Sequence, residues 1–302
     1  LGISLLNVVL AGASARMLPQ FDATAVWEGF AAGHATVWMA VPTMYQRLFE
    51  AFDAADATTR ARWAAGAARL RLATSGSAAL PVTLAARWRE LTGAIPLERF
   101  GMTEIGVGAS NPLDPALRRA GSVGPPLPTV EARVVGDDGV DTDAPGELWI
   151  RGPSVFPGYL GRDDATKAGF DAGWFKTGDV AERAPDGYLR LLGRTSVDIL
   201  KSGGYKLSAL EIEEALRENV AIAEVAIVGV PDPRWGDRVV AAVVAAKGRE
   251  AECEGDRLRA WAKERLASYK VPRDVVVLDR LPRNALGKVL KPELVKLLSQ
   301  KR

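Results

Sequence analysis

Cysteine and histidine are nearly absent: the 302 residues hold one of each, Cys253 and His34. One cysteine excludes an internal disulfide framework and fits a reducing compartment, expected here to be cytoplasmic. One histidine, set among small and apolar residues, is read as structural, which argues against a Ser-His-Asp hydrolase or a multi-histidine metal site. Charge of one sign is not in excess either. The net charge is only +2, so nothing points to nucleic acid as a partner. The opening "LGISLLNVVLAGASARM" is uncharged up to Arg16. It is short of the about 20 residues of a membrane span and lacks a basic leader, so it is read as a buried helix with no membrane span. Nothing matches the G-x-x-x-x-G-K-[ST] phosphate loop, and no dinucleotide fingerprint stands at a strand–helix junction.

What is present is a strand–turn–helix alternation. "ATVWMAVP" reads as a buried parallel strand stopped by Pro42, and "TMYQRLFEAF" as a helix that Thr43 could cap. Residues 51–68 read as a surface helix or loop, "LRLATSGSAALP" as a strand entering a small-residue turn, and residues 82–92 as a helix. "IPLERFGMTE" then reads as a strand into a loop. This predicts a layered α/β fold over about residues 1–120. Gly and Pro then become frequent, and "VEARVV", "GELWIRG" and "GYLRLLGR" predict a β-rich subdomain over about 121–194. A small α+β domain is expected over 195–302. It begins with "SALEIEEALREN", which sets Ile212, Ala215, Leu216 and Asn219 on one helical face. Strands "EVAIVGV", "RVVAAVVA" and "DVVVLD" and a helix over about 256–267 complete it.

Five stretches carry candidate chemistry. In "TSGSAALP" small residues such as Ser77 and Ala78 let a flat ligand lie against the backbone, or merely make a tight connection. "ERFGMTE" offers the flat face of Phe100, the Thr103 hydroxyl for a phosphate oxygen, and the Glu104 carboxylate for Mg2+, a hard ion that prefers oxygen. "GWFKTGDV" sets Asp179 in a glycine turn, where a carboxylate can hold two ribose hydroxyls or form an Asx turn. "GRTSVDILKSGGYKLSALEIE" combines Arg194, Asp198, the Gly203–Gly204 pair and a helix with Ser208 as N-cap. It reads as a hinge or as an ordinary linker. "LPRNALGKVLK" sets Lys288 in a polar turn, where the bland reading is a solvated charge.

Taken in order, these stretches resemble the adenylate-forming superfamily of acyl-CoA synthetases, luciferases and peptide-synthetase adenylation domains. The resemblance implies an AMP-binding domain over 1–194 and a mobile C-terminal domain over 195–302. It also implies a two-step reaction using ATP, Mg2+ and coenzyme A. By position, Lys288 matches the adenylation lysine, and Thr103 and Glu104 the phosphate and Mg2+ contacts. Ser77, Ala78, Glu98, Phe100, Gly101 and Met102 match the nucleotide pocket, and Asp179 and Arg194 the ribose pair. Gly203 and Gly204 match the loop lining the CoA tunnel, and Asp198 the hinge aspartate. The loop "GRTSVD" is one residue longer than the commonest family form, so Ser196 or Val197 is an alternative pivot. The family's Ser/Thr/Gly-rich phosphate loop falls upstream of Leu1. These residues alone are therefore expected to be inactive without that N-terminal segment as a partner.

Arg47 and Arg99, one after the strand–proline–helix entry and one before the adenine aromatic, resemble the malonyl-CoA synthetase branch. A dicarboxylate keeps one charge while the other reacts, and burying that charge requires a cation. The expected substrate is therefore malonate, with methylmalonate not separable. The alternatives are a monocarboxylate acyl-CoA synthetase, with Arg47 a surface charge and Arg99 paired to Glu98 or Glu104, and a non-catalytic module that binds nucleotide or CoA.

Overall fold

The computed structural model describes residues 7–284 and 287–300; Leu1 to Leu6 of the apolar opening and Ala285 and Leu286 of "LPRNALGKVLK" lie outside the described residues. The chain divides into two compact units, residues 1–127 and 128–302.

The first unit runs α1 (Asn7–Leu10), α2 (Ala23–Ala31), β1 (Val37–Ala40), α3 (Pro42–Ala54), α4 (Ala57–Ala67), β2 (Leu72–Ser75), α5 (Val82–Thr92), β3 (Leu97–Met102) and β4 (Gly106–Ser110). Strands β1, β2 and β3 are parallel neighbours, and β4 returns antiparallel to β3. The expected loop after "RFGMTE" is thus a tight turn into a fourth strand. Gly101 makes the return possible, because a Cβ there would sit 2.2 Å from the Gly106 carbonyl oxygen.

Three expectations are corrected in this unit. The opening is not a buried helix where it is described: α1 is four residues long, and Val9 and Leu10 are exposed. Thr43 does not cap α3, because Pro42 occupies the first helical position and Val41 the cap, with no side-chain bond. Residues 51–68 are not merely surface. α4 is capped by Asp56, which accepts from the Thr59 amide, and it buries Trp63. The Trp63 ring stacks on Trp27 at 5.8 Å, and Trp88 lies 6.1 Å from Trp27 on a second contact. His34 is exposed and its Nδ1 faces Arg16. α5 spans the expected 82–92, ended by Gly93 at φ 85°.

The second unit holds two five-stranded sheets. The first comprises β5 (Glu131–Val135), β6 (Gly146–Arg151), β7 (Phe170–Asp171), β8 (Trp174–Arg183) and β9 (Leu189–Arg194), with α6 (Asp163–Gly169) before β7. The second comprises β10 (Ile199–Ser202), β11 (Tyr205–Ser208), β12 (Ile222–Asp232), β13 (Gly236–Ala245) and β14 (Asp274–Val277). Its helices are α7 (Ala209–Arg217), α8 (Gly255–Lys263) and α9 (Lys291–Ser299). β12 and β13 are apolar on both faces because both are covered. Val225, Ile227, Val239 and Ala241 share a core with Ile212, Leu216 and Leu258 from α7 and α8. Ala226, Val228, Val240 and Ala242 share the opposite core with Leu294 and Leu298 of α9. Two readings are corrected here. α8 ends at Lys263, short of 267. The buried face of α7 is Ala209, Ile212, Glu213 and Leu216, with Ala215 only half-buried and Asn219 beyond the helix. Glu213 displaces them because its carboxylate is paired internally with Lys291. Among the described residues, no helix is long and apolar enough to cross a membrane.

Candidate active site

In the first unit, the candidate residues follow the carboxyl ends of the parallel strands, where open α/β sheets bind ligands. Ser77 and Ala78 follow β2, and Thr103 and Glu104 form the turn after β3. Ser77 is one of two non-glycine residues with positive φ among the described residues, at 68°, a conformation held only where its surroundings impose it. Phe100 is buried on β3, and its ring edge lies against Gly108, where a Cβ would sit 3.5 Å from Cδ1. Met102 closes β3 half-buried.

Glu98 is buried, and its Oε1 accepts from the Gly121 amide at 3.0 Å. Neighbouring Asn111 is clamped in the same loop region, donating to Ser122 O at 2.6 Å and accepting from the Arg119 amide at 2.9 Å. The Glu98 bond ties the "SNPLD…AGSVG" segment to the start of β3.

The two arginines sit differently. Arg47, on the exposed side of α3, lies over the Phe21 ring at 4.7 Å. Arg99 is half-buried on β3 with its side chain against Gly76, where a Cβ would meet its guanidinium carbon at 3.6 Å. Burial disfavours its charge and lowers its pKa, and no ion pair offsets this among the described residues.

In the second unit, Asp179 is buried on β8, directly opposite Arg194 on β9. Arg194 Nε stands 3.3 Å from Asp179 Oδ1, while Oδ2 is buried with no partner among the described residues. Burial pushes the Asp179 carboxyl above its usual value, Arg194 and Lys288 pull it down, and Asp198 pushes it up. The field of Lys288 therefore reaches this carboxylate. Lys288 is exposed on a loop whose legs are tied: its amide donates to Asn284 Oδ1 at 2.9 Å, and the Leu290 amide donates to Pro282 O at 2.8 Å.

Ser196, Val197 and Asp198 form a turn after β9, with the Asp198 amide bonded to Arg194 O at 2.8 Å. Gly203 and Gly204, at φ 57° and 86°, are the two central residues of the β10–β11 hairpin. Two consecutive positive φ values are the demand of a type I′ turn, which explains the glycine pair. Ser208 caps α7 as expected, its Oγ accepting from the Glu211 amide at 3.1 Å.

Three features escaped the sequence reading. Thr74 Oγ1 and Ser75 Oγ, at the end of β2, are buried without partners among the described residues; their signal was small polar residues closing a parallel strand. Thr177 orients Asp179, donating to Leu148 O at 2.7 Å and accepting from the Asp179 amide at 3.1 Å. Lys291 is buried between Asp198 and Glu213, and nothing local marks it.

Residues 1–160 match the AMP-binding enzyme family, and residues 211–288 match the AMP-binding enzyme C-terminal domain. The chain belongs to the AMP-binding enzyme family. Among relatives of this AMP-binding enzyme is the protein of Mus musculus named "Malonate--CoA ligase ACSF3, mitochondrial". It is 44% identical over 95% of this chain and 53% of its own length. A malonate–CoA ligase of Arabidopsis thaliana is 42% identical over 93% of this chain and 49% of its own length. The crystal structure of ATP-bound MatB from Rhodopseudomonas palustris superposes with a TM-score of 0.85 at 34% identity, covering 97% of this chain and 56% of that one. The chain spans about half the length of the curated relatives it matches.

Proposed function

We propose that this chain serves an ATP-dependent acid–CoA ligase acting on malonate. The observation that carries the choice of acid is Arg99: a half-buried guanidinium, its pKa lowered by desolvation and with no ion pair among the described residues, is completed by an anion. The names of the relatives at 42% and 44% identity support the same acid. Arg47 joins it by leaving Phe21, an exposed cation–π contact worth only about 0.5–1 kcal/mol.

In the first step a malonate carboxylate oxygen attacks the α-phosphorus of ATP. The P–O bond to the β,γ-phosphates breaks, and malonyl-AMP and pyrophosphate result. Lys288 stabilises the negative charge that builds on the phosphoryl and carboxylate oxygens. Asp179 accepts the ribose hydroxyls, its unpartnered Oδ2 being the free acceptor. Phe100 and the 77–78 turn flank adenine, with Glu98, Gly101 and Met102 shaping that wall. In the second step the CoA sulfur attacks the acyl carbon and AMP leaves, with the Gly203–Gly204 turn lining the approach and the 196–198 turn as pivot. For Mg2+, no cluster of three metal-ligating side chains exists among the described residues. Glu104 beside Thr103 instead offers a single carboxylate and a hydroxyl, a donor set that fits an ion carried mainly by phosphates and water. When bound, such an ion neutralises phosphate charge.

The reducing compartment inferred from the buried, unpaired Cys253 fits the cytoplasm; a relative named mitochondrial keeps the matrix as an equally reducing alternative. The test is pyrophosphate release by the full-length protein with malonate, acetate and butyrate. Release with malonate alone supports the reading; equal rates with butyrate overturn the dicarboxylate assignment.

A further inference from the structure

Lys291 has no part in the steps above. Lys291 opens α9, three residues after Lys288, and is buried. Its Nζ lies 2.6 Å from Asp198 Oδ1 and 2.7 Å from Glu213 Oε1. Burial opposes the ammonium charge, but the two carboxylates more than offset it and raise its pKa. Each carboxylate is tied a second time. Asp198 Oδ2 accepts from the Arg194 amide at 3.1 Å, and Glu213 Oε1 accepts from the Ile227 amide at 2.9 Å. Gly193 lets the turn close: it has φ 121°, and a Cβ there would sit 2.3 Å from Asp198 Cβ.

One ammonium thus joins three structures: the 194–198 turn, helix α7 and the foot of the loop that carries Lys288. We infer that Lys291 is a positioning residue that fixes Lys288 relative to the 194–198 turn through Asp198. This rests on the assignment of Lys288 to the adenylation step. A reacting group misplaced by about 1 Å loses up to about 10²-fold in rate, so the loss falls on the step that uses Lys288.

The test measures both half-reactions in the full-length protein: pyrophosphate release with malonate and ATP, and thioester formation from preformed malonyl-AMP and CoA. For Lys291→Met, adenylation is expected to fall about 10–100-fold, with thioester formation changed by less than about threefold. Lys291→Gln removes the charged link while keeping a hydrogen-bonding group between Asp198 and Glu213. It is expected to show the same split, and decides the question if Lys291→Met does not fold. Equal loss in both half-reactions, or loss in neither, overturns the proposal. Lys288→Ala, run in parallel, separates the two levels. If it spares adenylation, the site reading falls and this inference with it. If it abolishes adenylation while the Lys291→Met and Lys291→Gln variants show no split, only the positioning role falls.

Discussion

Arg194 Nε and Asp179 Oδ1 lie 3.3 Å apart across the β8–β9 ladder, and Asp179 keeps its second oxygen buried and unpaired. The raised carboxyl gives a sign to two outcomes. An acid whose folded pKa is raised favours the folded state at low pH, and that contribution is lost as pH rises through the folded value. Above that folded value the ionised, desolvated group is therefore a cost to the empty protein. Asp179→Asn is expected to leave the unfolding midpoint unchanged or raise it. Nucleotide affinity should fall about 10–150-fold, from loss of a charged hydrogen bond worth about 1.5–3 kcal/mol. Calorimetric titration with AMP alongside thermal melts checks both; a lower midpoint with unchanged affinity would contradict the assignment.

Arg99 and Arg47 should separate on substitution. Arg99→Met removes a desolvated cation, so the unliganded protein is expected to be at least as stable. The pair with the spare malonate carboxylate is then missing, at about 3–5 kcal/mol, or roughly 150- to 4,000-fold in KM for malonate. Arg47→Ala removes an exposed charge, and an exposed pair is worth about 0–1 kcal/mol, at most about fivefold. Steady-state kinetics with malonate as the varied substrate measure the ratio.

Trp27 is the centre of the first unit's core. It is fully buried, stacked on Trp63, and its Nε1 donates to Leu48 O at 2.8 Å. Trp27→Ala is expected to cost about 3–5 kcal/mol. Trp27→Phe keeps an aromatic ring but loses the N–H, at about 1 kcal/mol for the bond plus the lost ring area. Denaturant midpoints at constant m rank the two.

Lys291 predicts an alkaline signature. A lysine whose folded pKa is raised stabilises fully below its unfolded value of about 10.4, and that stability is lost as pH rises through the folded value above it. Stability of the unaltered protein should therefore fall above about pH 10.4, and Lys291→Met should fall less steeply there. Unfolding free energies measured between neutral pH and pH 11 test the difference.

Features governed by neighbouring residues were legible in the sequence. The span of α5 follows from its periodicity and Gly93, the cap of α7 from Ser208, and the tight β10–β11 connection from two adjacent glycines. The antiparallel β4 was not legible, because its pairing depends on a chain reversal that Gly101 permits only by close backbone approach. Thr43 looked like a cap by type, but the proline before it had already taken the first helical position.

The sequence by itself determined the candidate chemistry: Phe100, Thr103, Glu104, Asp179, Arg194 and Lys288 each sit in a short stretch whose turn and strand chemistry is local. Tertiary structure alone decided which charges are desolvated and which are paired. Arg47 and Arg99 are the same residue type, yet one rests on a ring in solvent and the other is half-buried without a counter-ion. Lys291 and Asp198 stand 93 positions apart and meet at 2.6 Å. Solvation and long-range pairing are properties of the packed chain, and no local pattern of residue types encodes them.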